Sequence, residues 1–304
     1  MDIESIKDFG ISPLWLALSE FWDIFSEIIL DSFSDQNLIN DVLAELNLDR
    51  RYIEDNVGIE LDFYGIPLIE SSLLMKTWDD FSNELMYKNR YFLQSKSNIQ
   101  LLDKVKELST VLNVKYKKGK IFYRARINES HHKKYKCGPE MGPPKPLKST
   151  PGRANPQGIP YLYLATEYLT AIGEIEPTFS NSVTLADFSL EKDIKVVDLS
   201  KSFSPFKYGA NLDKVYVYFD FLRYLGVQLS KPCDKNTAPI EYIPTQYLCE
   251  FLKINGYDGV QYNSKKGSGE NLVIFDKKNA SCVDTHLYYL EEIAYKVKIG
   301  AIEI

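Results

Sequence analysis

Three polar islands interrupt the apolar runs in the second half of the chain. They are Tyr123-Arg124-Ala125-Arg126, then Gly152-Arg153-Ala154-Asn155-Pro156-Gln157-Gly158 leading into Tyr161-Leu162-Tyr163-Leu164 and Glu174, then Tyr262-Asn263-Ser264 ahead of Gly267-Ser268-Gly269-Glu270-Asn271. Side chains alternate along a strand, so Arg124 and Arg126 share a face with Phe122, while Ile121, Tyr123 and Ala125 are left to pack. Two guanidiniums on one face suit phosphate, which arginine grips with a planar two-point fork; an edge strand with solvated charges would read the same. Gly152 and Gly158 flank Arg153 in a loop that can bring backbone N–H groups and a guanidinium to a diphosphate, although Asn155-Pro156 also makes an ordinary turn. Glu174 stands among Ala171, Ile172 and Ile175 on an expected helix, where a glutamate is either solvated or a buried, paired acid. Glu176 is the fallback and faces another side of that helix. An arginine, a glutamate and a serine, each beside an apolar run, are what a pocket for an anionic, aromatic-bearing ligand of nucleotide type needs.

Other chemistries fit less well. Ser264 lacks the G-x-S-x-G setting of a nucleophile, and none of the three histidines, His131, His132 and His286, is placed to serve it, so it reads as a hydrogen-bonding ligand group. Its loop is otherwise a plain connection between strands. His131 and His132 are adjacent and point apart in an extended segment, with no carboxylate cluster beside them, so no metal site is expected. The Arg126-x4-His131 spacing is one used by helical ribonucleases, but it falls outside the helical part of the chain and reads as chance. No G-x-G-x-x-G or Walker glycine pattern occurs.

The elements that must position these islands fall into two halves. Through about residue 110 the apolar spacing is helical: Pro13 to Leu30, Asn37 to Leu48, Ile69 to Tyr91 and Ile99 to Leu112. Beyond Lys120 the runs shorten. Strands are expected at 121–123, 161–165, 182–188, 194–199, 260–262 and 272–275, with more strand after 280. Helices are expected at 166–176 with Thr166 as N-cap, at 212–226, and at 241–255 with Gly256 closing the last. The segment Cys137 to Gly158 holds six of the 14 prolines and four of the 16 glycines, so it reads as a long loop, a feature that is usually functional or disordered. The fold class is α+β: a helical domain over residues 1–115 and a mixed domain over 116–304 without doubly wound alternation.

At 304 residues the chain can bury a substantial core, and 44% hydrophobic with 26% charged residues is ordinary for a globular protein. A net charge of −6 argues against broad nucleic-acid binding. Met1-Asp2-Ile3-Glu4 is not a secretory signal. Glu20, Asp23 and Glu27 break the most apolar early stretch, which argues against a membrane helix. Cys137, Cys233, Cys249 and Cys282 are scattered, without a C-x-x-C pair, and are expected as reduced thiols in cytoplasm.

In order, the stretches Tyr123-Arg124, Gly152-Arg153 with Gly158 to Ala165, Thr170-Ala171-Ile172-Gly173-Glu174, Pro244-Thr245-Gln246, and Gly256 to Ser264 ending in Asn271 to Phe275 resemble the RES family, over roughly residues 120 to 280. Trp78-x-x-Phe81 and Tyr87-x-x-Arg90 resemble the HEPN-type helical domain that precedes RES in longer members. The RES resemblance implies a fold like ADP-ribosyltransferase toxins and cleavage of NAD+, a substrate rather than a resident cofactor, by hydrolysis or phosphorolysis. It implies a toxin or defence effector checked by an antitoxin or regulatory protein; assembly as a homo-oligomer is a further expectation. By position it makes Arg124, Glu174 and Ser264 the catalytic residues, and Arg153, Tyr163, Asn271 and, with less force, Arg126 the ligand-binding ones. The extra helical domain and the long loop depart from the compact toxins. ADP-ribosylation of a macromolecular target and a catalytically idle binding module remain as competing readings.

Overall fold

The computed structural model describes residues 65–130, 133–200, 218–234 and 236–290. The two expected helices before residue 50 lie outside them, as does most of the expected helical domain. The described residues from Leu68 onward make one compact unit.

Two helices open this unit, α1 (Gly65–Tyr87) and α2 (Lys96–Val111). Trp78, Phe81 and Leu85, three and four residues apart, form the buried face of α1. Each such burial is worth about 1.5–3 kcal/mol, well above an exposed ion pair. Leu101, Leu102, Val105 and Leu108 do the same for α2. Glu84 joins the pair: its carboxylate accepts the Gln94 backbone N–H at 2.7 Å and Asn98 Nδ2 at 2.6 Å.

Eight strands follow: β1 (Asn113–Tyr116), β2 (Ile121–Ile127), β3 (Leu162–Ala165), β4 (Ser182–Leu190), β5 (Ile194–Asp198), β6 (Gly259–Asn263), β7 (Glu270–Ile274) and β8 (Ala280–Tyr289). The helices among them are α3 (Tyr168–Glu174), α4 (Phe219–Ser230), α5 (Ala238–Glu241) and α6 (Ile243–Ile254). The strands make a single mixed sheet in the order β1-β5-β6-β7-β3-β2-β4-β8. Among the described strands only β5 and β6 are parallel, which fits an α+β class. Phe122, Leu162, Leu164, Phe188, Val196 and Ile274 form the core on one face; Ala125, Ala165 and Leu185 pack against Ala171 of α3 on the other. No described helix is long and apolar enough to cross a membrane.

Three expectations need correction. Thr166 does not cap α3: the N-cap position is Glu167, because the Thr166 hydroxyl is drawn to Glu270 Oε2 at 2.7 Å. Phe122, expected on the open face with the arginines, is fully buried in the core, while Ile121 and Tyr123, expected to pack, are only half-buried. The expected 241–255 helix is α6, with Pro244 in its first turn. Gly256, at φ +86°, does close it. The four cysteines are not all thiols. Cys137 of the long loop and Cys282 of β8 form a disulfide across 145 residues, leaving Cys233 and Cys249 free. The pair meets because β8 lies along β4 at the sheet edge, where Lys134 Nζ, three residues before Cys137, donates to the Thr285 carbonyl at 2.9 Å.

Candidate active site

The sheet opens between β2 and β3. β2 pairs with β4 along its whole length, but it meets β3 only at Tyr123 and Ala165. Beyond that point the ladder is replaced by a side chain, since Arg124 Nη1 donates to the Tyr163 carbonyl at 2.7 Å. The parting strands leave a cavity of about 440 Å³, within the range of small-molecule sites. Arg124, Arg153, Tyr163, Glu174 and Asn271 all line it, so residues from all three sequence islands meet in one place.

Glu174 is the last residue of α3. The chain turns away at once: Glu176 takes φ +46°, an unusual value outside glycine, and donates its N–H to the Gly173 carbonyl at 3.1 Å. This carries the Glu176 side chain to an ion pair with Lys266 and leaves only Glu174 facing the cavity. One oxygen of Glu174 is then fixed twice. Ser264 Oγ donates to Oε1 at 2.6 Å and Asn271 Nδ2 donates to the same atom at 2.7 Å. Among the described residues no hydrogen bond is directed at Oε2. Ser264 does not line the cavity; it sits behind the carboxylate, its oxygen also accepting the Lys266 N–H at 2.9 Å. The loop that carries it lies tight on α3, because Gly267 and Gly173 leave no room for a Cβ and the Gly269 N–H bonds Thr170 Oγ1 at 3.0 Å. Asn271 is positioned by β7, paired with Ala165 and Tyr262 on either side.

Arg124 and Arg126 are held by backbone oxygens, and Arg153 by the tyrosines Tyr242 and Tyr262. Arg126 reaches the Gly142 carbonyl of the long loop at 2.7 Å and does not line the cavity, so it anchors that loop while Arg124 faces the opening. Burial and, next, the Arg126 charge push the Arg124 guanidinium down to about 10, which still leaves it cationic at neutral pH. For Arg153 burial works against the charge, but Tyr262, Tyr242 and Glu174 outweigh it and raise its pKa. The Nε atoms of Arg124, Arg126 and Arg153 are buried without a hydrogen-bond partner. An unsatisfied buried donor costs about 1–3 kcal/mol.

Tyr163 lines the cavity, yet its hydroxyl is committed to protein. It donates to Asn155 Oδ1 at 2.8 Å and accepts the Ala154 N–H at 3.2 Å, and burial pushes its pKa up. Gly152 is required at this turn: a Cβ would come within 2.5 Å of Asn155 Oδ1 and 2.7 Å of the Tyr163 hydroxyl oxygen. Tyr123, Tyr242 and Tyr262 also line the cavity. Tyr242 carried no signal in a segment that read as plain helix. Tyr123 and Tyr262 stood inside the islands but were not singled out. Among the described residues no group of three His, Cys, Asp or Glu side chains converges as a metal site would require. The cavity thus offers two guanidiniums, tyrosine rings and one oriented carboxylate, a set suited to an anionic ligand with a planar ring and a centre of developing positive charge.

A family model described as RES domain matches residues 121–294. No curated protein matches the chain. Among solved structures, a chain of the M. tuberculosis MbcT–MbcA toxin–antitoxin complex aligns at 15% identity, covering 62% of this chain and 93% of that one, with a TM-score of 0.36.

Proposed function

The chain belongs to the RES domain family, and on that premise we infer that it cleaves the nicotinamide N-glycosidic bond of NAD+. The observation that carries this reading is the Glu174 carboxylate, pinned through Oε1 by Ser264 and Asn271 in a cavity it shares with Arg124 and Arg153. The bond breaks as its electron pair leaves with the nicotinamide nitrogen, and positive charge develops on the ribose. A fixed carboxylate stabilises that oxocarbenium-like state without reorganising. Nicotinamide is a good leaving group in its cationic form, so no general acid is needed. Arg124 and Arg153 would hold the diphosphate, and the cavity tyrosines would flank the rings; an aromatic contact of that kind is worth about 0.5–1.5 kcal/mol. The acceptor that completes the new bond at the ribose carbon is water or phosphate.

An enzyme that spends NAD+ harms the cell that makes it unless it is restrained. The partner this reading calls for is therefore an antitoxin or regulatory protein, and the role that of a toxin or defence effector. Incubation of the full chain with NAD+, with and without phosphate, read by mass spectrometry, tests the reaction. Nicotinamide with ADP-ribose means hydrolysis, and nicotinamide with a phosphorylated ADP-ribose means phosphorolysis. Label retained on protein would move the assignment to ADP-ribosyl transfer, and intact NAD+ would overturn it.

A further inference from the structure

We propose that Thr245 and Gln246, in the first turn of α6, are positioning residues that act through Arg153, an inference that rests on the NAD+ reading. Neither lines the cavity. Thr245 Oγ1 donates to the Arg153 carbonyl at 2.6 Å, sharing its proton with the more distant Tyr242 carbonyl at 3.0 Å, and Gln246 Nε2 donates to the Gly152 carbonyl at 2.8 Å. Both side chains are buried, at 4% and 8% exposure, so these bonds are not shared with solvent. From the other side Tyr163 takes the Ala154 N–H and gives its own proton to Asn155, while the Gly152 N–H bonds the Asn155 carbonyl at 2.9 Å. The turn is thus gripped between β3 and α6, elements that are distant in sequence.

The consequence is electrostatic as well as steric. The two carbonyls carry the negative ends of peptide dipoles, and α6 ties both of them down. With those oxygens held, the loop offers the cavity the Arg153 guanidinium, flanked by Tyr242 and Tyr262. Without the two donors the peptides can turn, and a carbonyl oxygen facing a diphosphate repels it. Binding is affected more than chemistry, because Glu174 is fixed by other residues, Ser264 and Asn271.

The test uses the full chain and ADP-ribose as the probe. Thr245→Val keeps the shape and removes the hydroxyl; Gln246→Met keeps the length and removes the donor without adding charge. Each is expected to weaken ADP-ribose binding by about tenfold, the worth of one such bond, and to speed amide exchange across residues 150–156. The KM for NAD+ should rise by the same factor with kcat near the parental value. Thr245→Ser, which restores the hydroxyl, rescues both binding and exchange. Unchanged exchange in both variants, or faster exchange with parental ADP-ribose affinity, overturns the proposal. So does a fall in kcat at constant KM. A parental protein that binds ADP-ribose but leaves NAD+ intact sinks the proposed reaction and not the clamp, which exchange and affinity still decide.

Discussion

Asn271 Nδ2 lies 2.7 Å from Glu174 Oε1, the oxygen that Ser264 Oγ also reaches at 2.6 Å. Two donors on one carboxylate oxygen fix the plane of the group and leave Oε2 as the atom to meet a ligand. Asn271, expected from the sequence to touch the ligand, lines the cavity and at the same time orients the carboxylate.

Asn271→Asp tests that contact through pH. The change is isosteric but sets a second carboxylate against the first, and like charges at this distance disfavour having both ionised. An activity that needs ionised Glu174 then requires higher pH, so the acid limb of kcat/KM should move up by about one pH unit or more. A limb that stays at the parental position would mean the two side chains do not meet.

Gly267 sets how closely the Ser264 loop approaches α3. A Cβ there would lie 2.5 Å from Thr170 Oγ1 and 2.7 Å from its Cα. Gly267→Ala must move the loop, and with it Ser264, so it should lower kcat further than Ser264→Ala, which deletes one donor and should cost about tenfold. Parental kcat in Gly267→Ala would show that this approach does not place Ser264.

The disulfide makes a count that chemistry can check. Unfolded without reductant, the chain should show two reactive thiols, those of Cys233 and Cys249, and four after reduction. A Cys137→Ser/Cys282→Ser double variant should lose about 2–4 kcal/mol of unfolding free energy, the usual worth of a disulfide. Four thiols before reduction would contradict the pairing.

Glu84 ties stability to pH. The Gln94 backbone bond foremost, against the opposing effect of burial, and then Asn98 hold its carboxyl below the ordinary 4.5. A carboxyl lowered by folding contributes stability above its unfolded value and gives it up as pH falls through its folded one. Glu84→Gln should therefore lower the urea midpoint at neutral pH, with the gap from the parent closing below pH 4.5. A gap that persists in acid would assign the loss to packing.

The parts of this molecule legible in the sequence are those fixed by local rules. The buried stripes of α1 and α2, the strand at Leu162–Ala165 and the Gly256 terminus all follow from period and glycine chemistry. The parts that were not legible depend on contacts between distant residues. β1 is only four residues long and is defined by its pairing with β5. Thr166 looked like a cap because nothing nearby in sequence competes for its hydroxyl, whereas Glu270 does so in space. At the site, residue type singled out Arg124, Arg153 and Glu174. Spacing could not tell that Arg126 would turn to Gly142, that the Tyr163 hydroxyl would hold Asn155, or that Tyr242 would reach the cavity. Cys137 and Cys282, 145 residues apart, could not be paired without the sheet edge that brings them together.

If Glu174 acts on the ribose of NAD+, Glu174→Gln must separate binding from bond cleavage. The amide keeps the size of the side chain and removes its charge. The variant should bind NAD+ with an affinity close to the parent's while nicotinamide release falls by about a hundredfold or more, the scale of losing one preorganised electrostatic contact. Nicotinamide release at the parental rate would contradict the account.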